Sequence, residues 1–236
     1  MGEDGDYQAV AGTGGNQPIR VALAWRSRRV QPEGPAVELL EGPFRSGHRP
    51  PLARTFVDLA SGRRLTVVAN HLKSKGDCPE EADSPDRDRG DGQGCWNASR
   101  VEAVRALDLW LKSDPTGAGT AHRILLGDFN SYTREDPLRL LRSLGWRDAV
   151  PVRDASHRHH SFVYRGLAGA LDHALLSPGL VATVLAAQSW AINSDESEWF
   201  DYNLERRPPT VYRPLPFAAS DHDPLIVVLD LRRAAQ

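Results

Sequence analysis

Four polar clusters in this sequence stand where apolar runs begin or end, and their residue types suit the chemistry of phosphate esters. The clearest is Gly-Asp-Phe-Asn at residues 127–130, which follows an apolar run at 124–126. Because side chains alternate along an extended strand, Asp128 and Asn130 point to the same side. A carboxylate there can orient a water molecule, and an amide can bond a phosphate oxygen. This pairing predicts phosphoryl chemistry.

Two further clusters combine acids with histidines. Asp221 and His222 come directly before an apolar run at residues 225–231, and a strand there would hold both side chains rigidly. An adjacent acid and imidazole can serve a metal ion and a proton together. Asp172 lies inside another apolar run, and a carboxylate in such a place needs a partner to offset its lost hydration. We expect His222 to be that partner.

The fourth cluster, residues 70–75, again follows an apolar run. His71 can donate a hydrogen bond to phosphate, and Lys73 and Lys75 can meet phosphate charge. Each cluster also has a structural explanation: Asp128 and Asn130 as turn formers, Asp221 as a helix cap, His71 and His173 as core histidines, and the lysines as a solvated face. Four such clusters in one chain together favour function, because buried polar groups need partners.

The elements that would position these clusters are mostly strands. Apolar and β-branched runs between turn signals predict strands at residues 19–25, 54–59, 65–69, 124–126, 162–164, 171–176 and 225–231. An apolar stripe predicts a helix at 98–112, and Pro137 suits the first turn of a second helix at 136–144. Long excursions at 84–94 and 194–216 are the loops expected to carry function.

The composition is typical of one globular domain: the chain has 236 residues, of which 40% are hydrophobic. Its net charge of -2 argues weakly against binding nucleic acid through bulk charge, so an anionic substrate must be held locally. No apolar run approaches the roughly 20 residues needed to cross a bilayer. The acidic, glycine-rich start does not resemble a signal peptide.

The only two cysteines, Cys78 and Cys95, flank a polar loop at residues 79–94 that hydrophobic burial could not order. A disulfide that closes this loop is the expected arrangement, with two free thiols as the alternative. Two cysteines without a second pair or a suitably spaced histidine do not make a zinc site.

Five motifs, in this order, resemble the endonuclease/exonuclease/phosphatase superfamily, whose fold is that of deoxyribonuclease I. They are NHLKSKG, GDGQGCWNASR, LLGDFNSY, LDHALLS and SDHDP, with weaker similarity at RPPLARTF and at residues 193–203. The closest likeness is to secreted bacterial extracellular nucleases. The resemblance implies an α/β fold, in which a two-sheet β-sandwich is flanked by helices.

The resemblance also implies roles for individual residues. Asp128 would orient or deprotonate the attacking water, Asn130 would bind the scissile phosphate, and His222 paired with Asp172 would stabilise charge or move a proton. His71 would contact phosphate and assist the leaving group. A divalent ion would be held by Asp221, with Asp128 and Asn130; magnesium is expected, and calcium or manganese are alternatives.

Further phosphate contacts are implied for Asn70, Lys73, Lys75 and Arg100. Arg100 matches an arginine at a helix start, where it could equally support the site or form a surface ion pair.

The sequence departs from the family pattern at its start. An early strand carrying an Asn and a strand ending in a metal-binding Glu have no counterpart here, so we expect a fold that lacks the first strands and an incomplete metal site. We expect residues 1–18 to be a flexible tail and 19–236 to form the domain. Glu3 and Asp4 offer no strand on which a ligand could be held. Marginal stability or association is the expected consequence.

The favoured function is therefore a metal-dependent nuclease that acts on DNA, or alternatively on RNA. One alternative is a phosphoesterase of the same fold that acts on a phospholipid or inositol phosphate. Another is an inactive remnant that only binds nucleic acid. We expect a nucleic-acid partner, no membrane and no obligate protein partner. The resemblance and the expected disulfide suggest an extracellular location.

Overall fold

The computed structural model describes residues 5–14, 19–150, 159–197 and 217–234. Within them the strands are β1 (Tyr7–Ala11), β2 (Ala22–Arg26), β3 (Val30–Glu38), β4 (Leu52–Asp58), β5 (Arg64–His71), β6 (Arg123–Asp128), β7 (Arg147–Asp148), β8 (Phe162–Tyr164), β9 (Leu167–Gly169), β10 (Asp172–Leu176), β11 (Val184–Ser189) and β12 (Leu225–Leu229). The helices are α1 (Asn97–Lys112) and α2 (Asp136–Ser143), and three short 3-10 helices lie at Gly42–Phe44, Pro178–Thr183 and Leu231–Arg233.

A six-stranded sheet forms the centre, with the strand order β3-β4-β5-β6-β10-β7. The chain crosses from β5 to β6 through α1, and these two strands are parallel, whereas β10 runs antiparallel to β6. The remaining strands form three two-stranded sheets, β1–β2, β8–β9 and β11–β12.

The two faces of the central sheet are covered differently. On one face, Val104 and Leu107 of α1 and Leu138 of α2 pack with Val68 and Leu125 of the sheet. On the other face, a second apolar cluster joins sheet residues to the paired strands β11 and β12. Its main members are Ile124, Ala174, Leu176, Val184, Val227 and Leu229. The predicted mixed α/β fold is confirmed. No helix within the described ranges is long and apolar enough to cross a membrane.

The expectation that residues 1–18 form a flexible tail is wrong for Tyr7–Ala11, which form β1. This strand pairs antiparallel with β2 over five residues, and the backbone N–H of Gly12 extends the ladder to the carbonyl of Val21 at 2.9 Å. Most side chains of β1 are exposed, so backbone pairing rather than burial orders it. Glu3 and Asp4 lie outside the described residues, as does most of the predicted excursion at 194–216.

The predicted disulfide between Cys78 and Cys95 is present. The loop between them is ordered by polar contacts rather than by apolar burial. The Asp86 carboxylate accepts the backbone N–H of Ser99 at 2.8 Å, in the first turn of α1. Gln93 Oε1 accepts the N–H of Asp136 at the start of α2, at 3.0 Å. The loop therefore caps both helices that cover the sheet.

Candidate active site

The ends of three neighbouring strands bring His71, Asp128 and Asp172 into one row. In the parallel pairing of β5 with β6, His71 lies opposite Asp128. In the antiparallel pairing of β6 with β10, Asp128 lies opposite Asp172. The strands approach closely beside this row because Gly127 has no side chain: a Cβ there would lie 2.1 Å from the carbonyl oxygen of Asn70. Strand register therefore unites polar groups that are distant in sequence.

Asp172 binds His222, the partner expected from the sequence. His222 Nδ1 lies 2.6 Å from Asp172 Oδ2. The hydroxyl of Ser161 donates to the same carboxylate oxygen at 2.7 Å and accepts the backbone N–H of Asp172 at 3.0 Å. The ring of Phe162 packs against the imidazole, with centroids 4.7 Å apart. Ser161, which is fully buried, was not singled out in the sequence, although it directly precedes a predicted strand.

Asp128 is held by Asn130. The backbone N–H of Asn130 donates to Asp128 Oδ1 at 2.7 Å, and its Nδ2 donates to Oδ2 at 2.9 Å. The same amide donates to the carbonyl of Leu72 at 3.0 Å. His71 Nε2 lies 3.3 Å from Asp128 Oδ2. Asp128 and Asn130 lie on the same side, as expected. The side-chain amide hydrogens of Asn130 are used within the protein. Binding of phosphate or of a metal ion by Asn130 stays a prediction.

The electrostatics of the row give its members different protonation states. Burial raises the pKa of Asp128 to about 6, and the charge of Asp172 adds to this shift. Burial lowers the pKa of His71 to about 4, and the positive charges of Arg49 and His222 lower it further. Burial also opposes the charged form of His222, but the hydrogen bond to Asp172 and the charge of that carboxylate outweigh it and raise the pKa to about 9.

At neutral pH the site thus contains a carboxylate that can take up a proton, a neutral imidazole and an imidazolium cation. Groups whose pKa values are pushed apart in this way can share the roles of base and acid. A carboxylate with a pKa near the working pH is also well matched to proton transfer from water.

Arg49 is a cation of this site that the sequence reasoning missed. Its Nη1 donates to the carbonyl of Leu72 at 3.5 Å, and its charge acts on both Asp128 and His71. Its Nε is buried and has no hydrogen-bond partner among the described residues. A guanidinium N–H that is left unpaired beside a carboxylate row can bond a phosphate oxygen. The signal was the weak similarity at RPPLARTF, which begins with this residue.

Asp223, the second acid of the SDHDP motif, has a structural role. Its Oδ1 accepts the backbone N–H groups of Ile192, Asn193 and Ser194 at 2.8 to 3.0 Å. Burial opposes its charged form, yet these hydrogen bonds and the one from the Ser194 hydroxyl lower its pKa. Asp223 therefore fixes the loop beside His222.

The two lysines expected to meet phosphate already have partners in the protein. Lys75 Nζ lies 2.5 Å from Glu135 Oε1 and 5.1 Å from the centre of the Tyr132 ring. Lys73 Nζ lies over the ring of Trp96, 4.7 Å from its centroid. Lys75 lines the cleft that contains the row of His71, Asp128 and Asp172, whereas Lys73 does not. Phosphate binding by either lysine stays a prediction.

Arg100 and Asn70 do not occupy positions from which they could touch a substrate. Arg100 is fully buried, and its guanidinium donates to the backbone carbonyls of Lys73, Gln93 and Cys95 at 2.8 to 3.2 Å. This burial disfavours direct phosphate binding by Arg100, and the contacts with the carbonyls of Gln93 and Cys95 tie the guanidinium to the disulfide loop instead. Asn70 is also buried, its amide donates to two backbone carbonyls, and its Oδ1 has no hydrogen-bond partner among the described residues, so phosphate binding by its amide is disfavoured in the same way.

The row lies at the bottom of an open cleft of about 800 Å³. His71, Asp128, Asn130, Asp172 and His222 all line it, and so does Asp221. The disulfide borders it, together with the aromatic side chains of Tyr132, Phe162 and Tyr164. Apart from Lys73, Arg100 and Asn70, the predicted site residues thus come together in one cleft.

The sequence model of the Endonuclease/Exonuclease/phosphatase family matches residues 3–222. This match spans most of the chain and includes every residue of the row. The chain belongs to the endonuclease/exonuclease/phosphatase family. Enzymes of this family hydrolyse phosphodiester or phosphate ester bonds and generally use divalent metal ions. A sequence comparison with curated proteins finds no significant match.

Solved structures similar to this chain share the family fold at low sequence identity. The Bacteroides thetaiotaomicron mannosyl-6-phosphatase superimposes with a TM-score of 0.64 at 16% identity, covering 96% of this chain and 78% of that one. The Neisseria 3' phosphatase NExo, solved with a product DNA hairpin, superimposes with a TM-score of 0.56 at 19% sequence identity. The match covers 95% of this chain and 80% of NExo. The human Nocturnin catalytic domain, solved with a sulfate anion, superimposes with a TM-score of 0.54 at 16% sequence identity. That match covers 78% of this chain but only 63% of the Nocturnin chain.

The described residues supply only part of the donor set that a metal ion of this family would need. Asp128 and Asp221 face the same cleft, and burial together with the charge of Asp172 raises the pKa of Asp128. Yet no cluster of three or more His, Cys, Asp or Glu side chains in the described ranges is arranged to hold a metal ion. These residues alone therefore do not make a complete metal site.

Proposed function

We propose that this protein is a metal-dependent phosphodiesterase that hydrolyses DNA by in-line attack of an activated water. The observation that carries the proposal is the row of His71, Asp128 and Asp172 with His222 bound to it, facing one open cleft. A buried carboxylate with a pKa of about 6 and an imidazole with a pKa of about 9 lie on the same cleft. Hydrolysis of a phosphodiester needs both a base for water and positive charge for the developing phosphorane.

In this proposal Asp128 accepts the proton of the attacking water, since its pKa lies closest to neutral. The His222 imidazolium, oriented by Asp172, stabilises the charge that develops on the phosphate oxygens. As the bond from water to phosphorus forms, the bond from phosphorus to the leaving oxygen breaks, and neutral His71 donates a hydrogen bond to that leaving oxygen. The charge of the Arg49 guanidinium, which acts on Asp128, adds to the positive potential of the site. Magnesium, with Asp221 and Asp128 among its ligands, would neutralise further charge.

Nucleic acid is favoured as the substrate by several features. The sequence motifs resemble extracellular nucleases, and a structural neighbour, Neisseria NExo, was solved with DNA. The open cleft of about 800 Å³ has aromatic rings on its wall, which suits a nucleotide better than a small phosphate alone. The disulfide supports an extracellular location, because disulfides persist in oxidising compartments.

The test is nicking of supercoiled plasmid by the wild-type chain with magnesium or with a chelator. We expect magnesium-dependent nicking that falls by about 10² to 10⁴ in Asp128→Asn and in His222→Asn, since each removes a group that moves or stabilises charge. Glu102→Gln, an exposed change on α1, is the matched control and should leave the rate unchanged. Nicking that persists in both site variants would overturn the proposal.

The same preparation distinguishes the alternatives. Release of phosphate from a sugar phosphate or an inositol phosphate, without nicking, would assign the site to a phosphomonoesterase; the mannosyl-6-phosphatase neighbour makes this outcome worth measuring. Binding of DNA by a folded chain without any turnover would assign it to an inactive binding protein.

A further inference from the structure

One wall of the cleft is formed by the β8–β9 hairpin and is aromatic. Phe162 and Tyr164 are two residues apart on β8, so they lie on the same side of the strand, and their rings are nearly parallel at a centroid distance of 6.4 Å. Both line the cleft. The ring of Phe162 packs against the imidazole of His222, whereas 53% of the Tyr164 surface is exposed. An exposed ring therefore stands directly beside the catalytic row.

The tip of the hairpin adds a planar cation to this ring. The guanidinium of Arg165 lies over Tyr164, with its central carbon 5.2 Å from the ring centroid. Arg165 adopts a left-handed backbone conformation with φ of 50°, which turns the chain into β9. Tyr132, a third aromatic residue that lines the cleft, packs on Gly169 of the same hairpin, where a Cβ would lie 2.4 Å from the tyrosine ring. Aromatic faces and a guanidinium plane are the groups on which unstacked bases settle.

The charged side chains of the cleft do not favour binding of a long DNA duplex through its phosphate groups. The lysine that lines the cleft, Lys75, is already paired with Glu135. The carboxylates of Asp88 and Asp221 also face the cleft, in addition to the two in the row. A protein that binds duplex DNA through its backbone needs several unpaired cations along the contact. Part of the affinity for nucleic acid must therefore come from contacts other than those to phosphate, and the exposed ring of Tyr164 offers such a contact.

We propose that the cleft binds an unpaired nucleotide whose base stacks on Tyr164 and the adjoining Arg165, so that single-stranded DNA is the preferred substrate. This inference rests on the proposed function, since it names the form of nucleic acid that the same site takes. A base inside a duplex is already stacked on both faces and cannot reach the ring without being extruded. A base in a single strand has a free face and gains the stacking energy.

The test uses binding, so that it does not depend on turnover. The Asp128→Asn variant is titrated with a fluorescent 12-mer of thymidylate and with a 12-mer of abasic sites, which carries the same phosphate charge without bases. We expect the thymidylate to bind at least about tenfold more tightly, because one stacked base contributes a factor of this size or more. Adding Tyr164→Ala should abolish this preference, whereas Tyr164→Phe should keep it.

Leu167→Ala is the matched control, because Leu167 pairs with Tyr164 in the same hairpin and is 75% exposed but does not line the cleft. It should leave the preference unchanged. Equal binding of the two 12-mers, or a preference that survives Tyr164→Ala, would overturn the inference even in a chain that nicks plasmid. A base preference in a chain that cuts no DNA would uphold the stacking site on Tyr164 but refute the proposed nuclease.

Discussion

The hydroxyl of Ser161 positions the Asp172 carboxylate, although a serine at this place gives no such signal in the sequence. One oxygen of Asp172 accepts both the Ser161 hydroxyl and His222 Nδ1, at 2.7 and 2.6 Å. The serine oxygen in turn accepts the backbone N–H groups of Leu171 and Asp172. The hydroxyl therefore fixes the direction in which the carboxylate meets the imidazole. Supporting groups of this kind commonly change rates by a factor of ten or more.

We expect Ser161→Ala to lower kcat about tenfold with little change in KM, because Asp172 would then orient His222 less tightly. Ser161→Thr keeps the hydroxyl and should retain most of the activity. The measurement is steady-state cleavage of a DNA substrate, with Ser143→Ala, an exposed hydroxyl on α2, as the control. Equal losses in the alanine and threonine variants would mean that packing, not the hydrogen bond, is what matters.

The sequence predicted the residues of the row better than it predicted the state of the cations around it. A carboxylate in an apolar run signals a partner, and the contact between Asp172 and His222 is indeed present. No local pattern reveals that Lys75 meets Glu135, which lies 60 residues further along the chain, or that Arg100 turns inward to backbone carbonyls. Such pairings depend on tertiary contacts, which local periodicity does not encode.

Among the strands, the closest approach that matters to the site is that of β5 and β6. Gly127 has a φ of 124°, and a Cβ there would lie 2.1 Å from the carbonyl oxygen of Asn70, one residue before His71. Neither the backbone conformation nor the space admits a side chain. The glycine thus sets the distance between the strand ends that carry His71 and Asp128.

We expect Gly127→Ala to destabilise the protein by about 3 kcal/mol or more, since it combines backbone strain with a collision against backbone atoms. Gly62→Ala is the matched control: its φ of 70° carries strain, but a Cβ there meets nothing within 4 Å, so about 1 kcal/mol is expected. Urea denaturation of both variants measures the difference. Similar losses of unfolding free energy in the two variants would show that the collision of the Cβ with Asn70 does not add to the destabilisation.

The elements that the sequence predicted are those with strong periodicity. All seven predicted strands and both helices are present, with ends shifted by a few residues. β3 was missed because Pro32, Gly34 and Pro35 interrupt its pattern; it lies at the edge of the central sheet, where proline is tolerated. β1 and β11 were missed because their short, alanine-containing sequences bury few large side chains.

At the scale of the whole molecule, a buried histidine ties stability to pH. His48 Nδ1 accepts the backbone N–H of Lys73 at 3.1 Å, and its Nε2 has no partner among the described residues. Burial and the charges of Arg100, Lys73 and Arg49 lower its pKa to about 4, against an opposing effect of Asp86. The folded protein therefore keeps this ring neutral at pH values where the unfolded chain protonates it.

Because the pKa is depressed by folding, the stabilisation is complete above the unfolded value of 6.5 and is lost as the pH falls toward 4. His48→Asn keeps an acceptor for the Lys73 N–H but does not titrate. Between pH 7 and 4.5 we expect the wild type to lose about 2 kcal/mol more unfolding free energy than this variant. Urea titrations at the two pH values measure this; parallel losses would refute it.

The loop between Cys78 and Cys95 is almost entirely exposed, yet it caps both helices and borders the cleft. Besides the polar contacts that order it, one covalent bond ties its two ends together, and a reducing cytoplasm does not allow such a bond to persist. We therefore expect the reduced protein to hold this border of the cleft less firmly and to be less active than the disulfide-bonded form. We expect dithiothreitol to slow plasmid nicking by the wild type but not by a Cys78→Ser/Cys95→Ser variant.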